Sequence, residues 1–143
     1  MSIRHIVAPV DFSPASRRSL DRAIELAKAL HAHMEVVHSI EVLTYRGIEY
    51  REVMSTKSYD DERKEARERL DEWTDIAREA GVEASCKVLE GDGRRTIIDH
   101  AAQHDADLIV IGAKGHSRLH DILIGSVAAQ VVSKAPCSVH LVR

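Results

Sequence analysis

Cysteine, proline and aromatic residues are all scarce in this chain of 143 residues, which holds two Cys, three Pro, one Trp, one Phe and three Tyr. Cys86 and Cys137 stand far apart with no C-x-x-C. That excludes a zinc ribbon, a thioredoxin-like motif and a disulfide-dense secreted scaffold, and it fits a reducing cytoplasm. So few rings offer little on which to stack bases, and 20 basic against 23 acidic residues give no cationic excess, so nucleic acid is not expected as a partner. No stretch approaches the roughly 18 apolar residues that span a bilayer. The apolar run at the N-terminus meets Asp11 before it is long enough for a secretory signal, and no membrane insertion is expected. No Pro- or Ser-rich linker, repeat or low-complexity tract divides the chain, so one domain over 1–143 is expected. What is present is a composition 44% hydrophobic and 30% charged. A chain of this size can bury roughly two-thirds of its unfolded surface without a disulfide or a structural metal.

Apolar runs of strand length alternate with segments of helical period, the signature of βαβ units around a parallel sheet. Five strands are predicted: Ile3 to Val10, Met34 to Ile40, Ala84 to Leu89, Leu108 to Ile111 and Ser138 to Val142. After Ser13-Pro14, a cap followed by a first-turn proline, Leu20, Ala23, Ile24, Ala27 and Leu30 recur at helical spacing. A second helix carries Ala66, Leu70, Trp73, Ala77 and Ala80 on one stripe and ends at Gly81. A third follows Gly93 with Ile97, Ile98, Ala101 and Ala102 turned inward. A fourth begins near Gly125-Ser126 with Val127, Val131 and Val132, and Pro136 stops it. The expected class is α/β, a β-α-β-α-β-α-β-α-β chain. The stretch from Glu41 to Lys57 shows neither period and reads as a variable loop in preference to a lid or partner surface.

The most informative segment runs from Gly112 to Ser126, from the carboxyl end of a buried strand to the start of a helix, where open α/β sheets bind ligands. Gly112 and Gly115 would allow positive φ and close approach of backbone N–H groups to an anion. Gly125-Ser126 would set free N–H groups and a hydroxyl at the positive end of the last helix. Lys114, His116 and Arg118 add cationic side chains, a combination suited to a polyphosphate.

The pattern Gly112-x2-Gly115-x9-Gly125-Ser126, with the closing Ala135-Pro-Cys-Ser-Val139-x-Leu-Val-Arg143, resembles the ATP-binding branch of the universal stress protein family. The opening Ile6-Val-Ala-Pro-Val-Asp11-Phe-Ser13 is similar to that family's first strand and turn, and Asp107-Leu-Ile-Val-Ile-Gly112 to its fourth strand. The resemblance covers essentially the whole chain. It implies a three-layer, Rossmann-like fold: an open five-stranded parallel sheet of order 3-2-1-4-5, helices on both faces, and a nucleotide across the gap between strands 1 and 4. It further implies that Pro9, Val10 and Asp11 border the adenosine end, Asp11 near base and ribose, with Ile111 closing the pocket. Gly112, Gly115, Gly125, Ser126 and Val127 would hold the phosphates, mainly through backbone N–H groups. Two residues depart from the family pattern. Ser39 stands where an apolar residue usually faces the adenine, and Ala128 replaces a hydroxyl residue worth about 1 kcal/mol as a phosphate contact. The resemblance also implies a homodimer formed partly by the last strand, Ser138 to Val142, an expected exposed edge, with His140 on that surface.

Other signals are weaker. His100-x3-His104 and His116-x3-His120 have i,i+4 spacing, yet neither is H-E-x-x-H and no third ligand accompanies them, so no metal site is expected. His31-Ala-His33 reads as a helix end, while His5, His38 and His140 fall in predicted strands. Gly91-Asp-Gly93-Arg-Arg-Thr96 lacks the third glycine of a dinucleotide fingerprint and reads as a turn. No P-loop and no G-x-S-x-G occurs, and Asp11 with Asp121 is not a supported acid/base pair. The expected function is therefore regulatory binding of ATP, or ADP or AMP, with Mg²⁺ anticipated from phosphate chemistry, in which occupancy changes a dimer surface or that of an unidentified protein partner. Two alternatives stand beside it: a slow ATPase or phosphotransferase, and a nucleotide-free dimeric interaction module.

Overall fold

A computed structural model of the chain describes residues 2–41, 44–45, 48–49, 59–114 and 124–143. The elements in order are β1 (His5–Pro9), α1 (Pro14–Leu30), β2 (His33–Ile40), β3 (Thr44–Tyr45), β4 (Ile48–Glu49), α2 (Tyr59–Glu79), β5 (Ala84–Glu90), α3 (Gly93–Gln103), β6 (Leu108–Gly112), α4 (Ser126–Lys134) and β7 (Ser138–Val142). Five of the strands form one parallel sheet of order β5-β2-β1-β6-β7, which is 3-2-1-4-5 when its strands are numbered along the chain. β1 lies at its centre, with Ile6 opposite Met34 of β2 and Leu108 of β6. Its residues Ile6, Val7 and Ala8 are buried, as a strand covered on both faces requires.

Alternate residues of each strand feed two cores. On one face Ile6, Met34, Val36 and Val110 pack with Leu20, Ala23 and Ile24 of α1 and Leu70 and Ala77 of α2. On the other, Val7, Val37, Ile109 and Ile111 pack with Ile97 and Ala101 of α3 and Ala128 and Val131 of α4. The connection leaving β1 thus goes to one face and the connection leaving β6 to the other. A cleft opens between their carboxyl ends at this switch point.

α1 starts as its sequence signals: Ser13 at the N-cap, backbone extended, accepts the Ser16 N–H at 3.1 Å, and Pro14 takes the first helical position. It ends at His31, whose φ of 52° is left-handed. His33, read with it as a helix end, instead opens β2 opposite His5, because the left-handed cap turns the chain straight into the sheet. Three residues assigned to inward stripes lie at their borders and face out: Leu30 is 41% and Val132 48% exposed, and Ala102 is exposed too. In α3 the buried stripe is Ile97, His100 and Ala101, so Ala102 is rotated about 100° past it. His100 is 4% exposed and its Nε2 meets the Glu35 carboxylate, tying α3 to β2. Within the stretch read as a plain loop, β3 and β4 pair antiparallel, Thr44 opposite Glu49 and Tyr45 opposite Ile48. Strands of two residues are too short to register as a period. Arg46, Tyr50 and Arg51 lie outside the described residues.

Candidate functional site

The cleft at the carboxyl ends of β1, β2 and β6 encloses a cavity of about 460 Å³, within the range of small-molecule sites. Pro9, Val10 and Asp11 of the β1–α1 turn form one wall, Ile111, Gly112 and Lys114 another, and Gly125, Ser126 and Val127 the amino end of α4. Ser39 of β2 lines it as well. Ten of the twelve candidate site residues read from the sequence are therefore on one cavity: Pro9, Val10, Asp11, Ser39, Ile111, Gly112, Lys114, Gly125, Ser126 and Val127. Gly115 and His116 lie outside the described residues, as do Arg118, His120 and Asp121.

The β1–α1 turn is held from several sides. Val10 N–H donates to Val37 O at 2.8 Å, and Val10 O accepts from His38 Nδ1–H at 2.8 Å. Asp11 Oδ1 accepts from the Ser13 backbone N–H at 3.0 Å and from the Ser13 hydroxyl. Between them Phe12 has a φ of 63°, a left-handed conformation that costs a bulky residue of order 1–3 kcal/mol. Its ring is fixed by His38 at 4.6 Å, by Trp73 edge-on at 5.2 Å and by the Arg69 guanidinium at 4.3 Å. These contacts offset the strain and set Asp11 on the cavity wall.

At the opposite wall, Gly112 is the last residue of β6 and has no positive φ. Its requirement for glycine is steric: a Cβ there would lie 3.3 Å from the Ala15 carbonyl oxygen of α1. The Gly125 N–H, read as a free donor, is engaged with Ala113 O at 2.7 Å, because the two ends of the intervening loop are pinned to each other. Open donors belong instead to the first turn of α4, at Ser126, Val127 and Ala128, which no side chain caps among the described residues. The neighbouring helices are closed by their own residues, α1 by Ser13 and α3 by Asp92, which accepts from Arg94 N–H at 2.9 Å. The Arg94 guanidinium clasps the same carboxylate and holds its pKa below the ordinary value.

Sequence reasoning passed over Ser16, Val37, His38, Glu41, Gly93, Ile97 and Ala113, all of which line the cavity. Gly93 was legible: Asp92 is a standard cap residue, and Gly93 is the first residue of α3 and not part of a bare turn. A Cβ on Gly93 would stand 3.6 Å from Ser39 Cβ and 4.0 Å from Val127 Cγ2, so its absence widens the cavity there. The histidine pair His100 and His104 lies away from this lining, their rings stacked at 4.1 Å. Among the described residues no cluster of three or more His, Cys, Asp or Glu could hold a metal ion, and no helix is long and apolar enough to cross a membrane.

A sequence model described as the universal stress protein family matches residues 2–143. The chain belongs to the universal stress protein family. A curated universal stress protein of Methanocaldococcus jannaschii is 32% identical over 98% of this chain and 82% of its own length. Among solved structures, universal stress protein UspA from Lactobacillus plantarum superposes with a TM-score of 0.87 at 26% identity, covering 100% of this chain and 99% of the other. The universal stress protein from Archaeoglobus fulgidus, solved in complex with dAMP, is 29% identical with a TM-score of 0.74 and complete coverage, 100% of each chain. The family fold thus extends over the whole chain, and the cleft lies at its switch point.

Proposed function

We propose that the cleft binds an adenine nucleotide, base and ribose toward Pro9, Val10, Asp11, Ser39 and Ile111, phosphates toward Gly112, Lys114, Ser126 and Val127. The observation that carries this reading is the uncapped amino end of α4 on the cavity wall. Its first-turn N–H groups and helix dipole favour an anion, and no carboxylate of its own first turn competes. Lys114 adds a positive charge beside it. The dAMP complex of the Archaeoglobus relative supports adenine as the base. Gly115 and His116 join the phosphate end on the sequence pattern, while Gly125 serves by pinning the loop to Ala113. ATP is the form that best uses this set, and Mg²⁺ would be held mainly by phosphate oxygens.

The protein acts by binding and not by turnover. Nucleotide shifts the Gly112 to Gly125 loop toward one arrangement by interacting more strongly with it, and the shift is read by a second copy or by a protein partner. β7 (Ser138–Val142) is an edge of the sheet, paired among the described residues with β6 alone, which supports it as the dimer strand, and the free cysteines suit the cytoplasm.

The test is to release small molecules from freshly purified protein with acid, identify them by mass, and titrate the stripped protein calorimetrically with ATP, ADP and AMP, with and without Mg²⁺. Adenine nucleotide in the extract, or saturable binding, is expected. A blank in both overturns the reading in favour of an interaction module. Steady hydrolysis of labelled ATP well above the protein-free rate overturns the assignment as a binder only. Sedimentation with and without ATP tests the dimer, and a monomer in both would refute the β7 contact.

A further inference from the structure

Phe12 holds its left-handed φ of 63° at a place where the chain is tied down on both sides. Before it, Val10 is fixed to β2 by its N–H on Val37 O and its carbonyl on His38 Nδ1–H, each at 2.8 Å. After it, Ser13 is the cap of α1. Between these anchors relief of the strain falls on Asp11, which lies on the cavity wall and whose N–H reaches Ser16 Oγ across a long 3.3 Å. The groups that hold Phe12 against that relief stand in part outside the cleft. Arg69 and Trp73 are one turn apart on the same face of α2, the guanidinium 4.3 Å from the Phe12 ring and the indole edge-on at 5.2 Å. Neither of them lines the cavity, and Arg69 is exposed on the protein surface. His38 closes the clamp from the cleft side at 4.6 Å.

We propose that Arg69 and Trp73 are positioning residues for the nucleotide: by clamping Phe12 from α2 they keep Asp11 on the cavity wall, so that part of the affinity of the cleft is set on the outer face of α2. This rests on the nucleotide reading above and adds to it a control point that lies off the cavity. The turn has two arrangements, a clamped one with the wall in place and a relaxed one in which Phe12 returns to negative φ and Asp11 shifts. Only the first is competent to bind, and apparent affinity scales with its population. By linkage, bound nucleotide tightens the clamp by the same factor.

The experiment is calorimetric titration with ATP of wild type, Arg69→Ala, Arg69→Ala with Trp73→Leu, Phe12→Gly, and Phe12→Gly combined with each α2 change, with urea unfolding of every variant alongside. Loss of the exposed cation–π contact should weaken ATP binding about threefold. Loss of the indole edge contact as well should bring the weakening to about tenfold. Glycine takes a φ of 63° without steric cost, so in the Phe12→Gly background no strain is left to clamp, and the α2 changes should leave affinity within about twofold while still lowering the urea midpoint. Equal weakening in both backgrounds shows that the changes act by loosening α2 in general, and overturns the inference. Unchanged affinity in both backgrounds overturns it too, as does loss of ATP binding in Phe12→Gly alone. Failure of wild type to bind ATP overturns the nucleotide reading itself. Should Trp73→Leu not fold, Arg69→Ala, a surface change, still decides between the backgrounds.

Discussion

Ser13 is where the stability of the first helix and the geometry of the cleft meet, and Ser13→Ala should damage both. The residue is 1% exposed. Its Oγ accepts the Ser16 N–H at 3.1 Å as the cap of α1 and donates to the Asp11 carboxylate. Loss of a serine cap costs about 1 kcal/mol, and loss of a hydrogen bond to a charged group about 1.5–3 kcal/mol. Both pass through one atom, so the sum is not additive, and a net loss of about 2–3 kcal/mol is expected. At about 2–4 °C per kcal/mol for a chain of this size, the melting temperature should fall by about 7 °C. Asp11→Ala leaves the cap but removes both the hydroxyl bond and the bond from the Ser13 N–H, and should cost about 2–3 kcal/mol as well. The double variant should then be worse than Ser13→Ala by about 1 kcal/mol, the value of the Ser13 N–H bond that only Asp11→Ala removes, which leaves a coupling of about 1–2 kcal/mol in the cycle. Urea unfolding followed by circular dichroism gives all four values. A Ser13→Ala within about 0.5 kcal/mol of wild type, or strictly additive effects, would refute the shared-atom argument.

Two glycines on the cavity should respond oppositely to a methyl group. Gly112→Ala meets the Ala15 carbonyl at 3.3 Å and should lose about 1–2 kcal/mol, whereas Gly93→Ala, in ordinary contact at 3.6 Å, should be neutral or gain up to about 1 kcal/mol, both read from urea midpoints. His100→Ala removes the hydrogen bond to Glu35, leaving it only the longer contact with His5 Nε2 at 3.8 Å among the described residues, and leaves a cavity beneath α3; it should cost about 2–4 kcal/mol while nucleotide affinity, measured by calorimetry, stays within about twofold. The Asp107 carboxylate accepts the Arg4 and His5 N–H groups, each at 2.9 Å, which hold its pKa below the ordinary carboxylate value. A depressed folded pKa stabilises fully above the unfolded value and is lost as pH falls through the folded one. The stability gap between wild type and Asp107→Ala should therefore be widest near neutrality and close as acid is added below about pH 4, and a gap that widens in acid would contradict the assignment.

The sheet was legible because its central strands are continuous apolar runs, and α1 because Ser13-Pro14 announces a helix start by mechanism and not by composition. Stripe borders were not. Leu30, Ala102 and Val132 have the same chemistry as their buried neighbours, and which border position is covered depends on where the sheet beneath ends. Gly112 and Gly125 line the cavity, and what places them there differs from the backbone freedom expected of them. Backbone freedom was inferred where the structure shows a close approach to α1 in one case and a loop-closing hydrogen bond in the other. Such reasons depend on atoms far away in sequence, Ala15 and Ala113, and no local pattern carries them. Gly93 was the opposite case, a residue whose local cap signal was present and was read as a turn.

Parallel topology delivers the amino ends of several helices to the same edge of the sheet, and each brings N–H groups that need acceptors. In this chain the first is closed by Ser13 and the third by Asp92, whose carboxylate is itself neutralised by Arg94. α4 alone among these begins at a glycine with no side chain to serve it. Closing all three would have left a capped, neutral cleft with little reason to hold an anion. Leaving all three open would have exposed more donors than one ligand can satisfy, at a cost to the apo fold. The arrangement observed concentrates the unmet demand at one helix end, opposite a wall where Asp11 is bonded to Ser13 and Ser39 to Gly91 and Thr96. A ligand that fits must bring negative charge to one end and matched hydrogen-bonding groups to the other. That asymmetry, more than the size of the cavity, argues for a nucleotide over a free phosphate or an apolar guest.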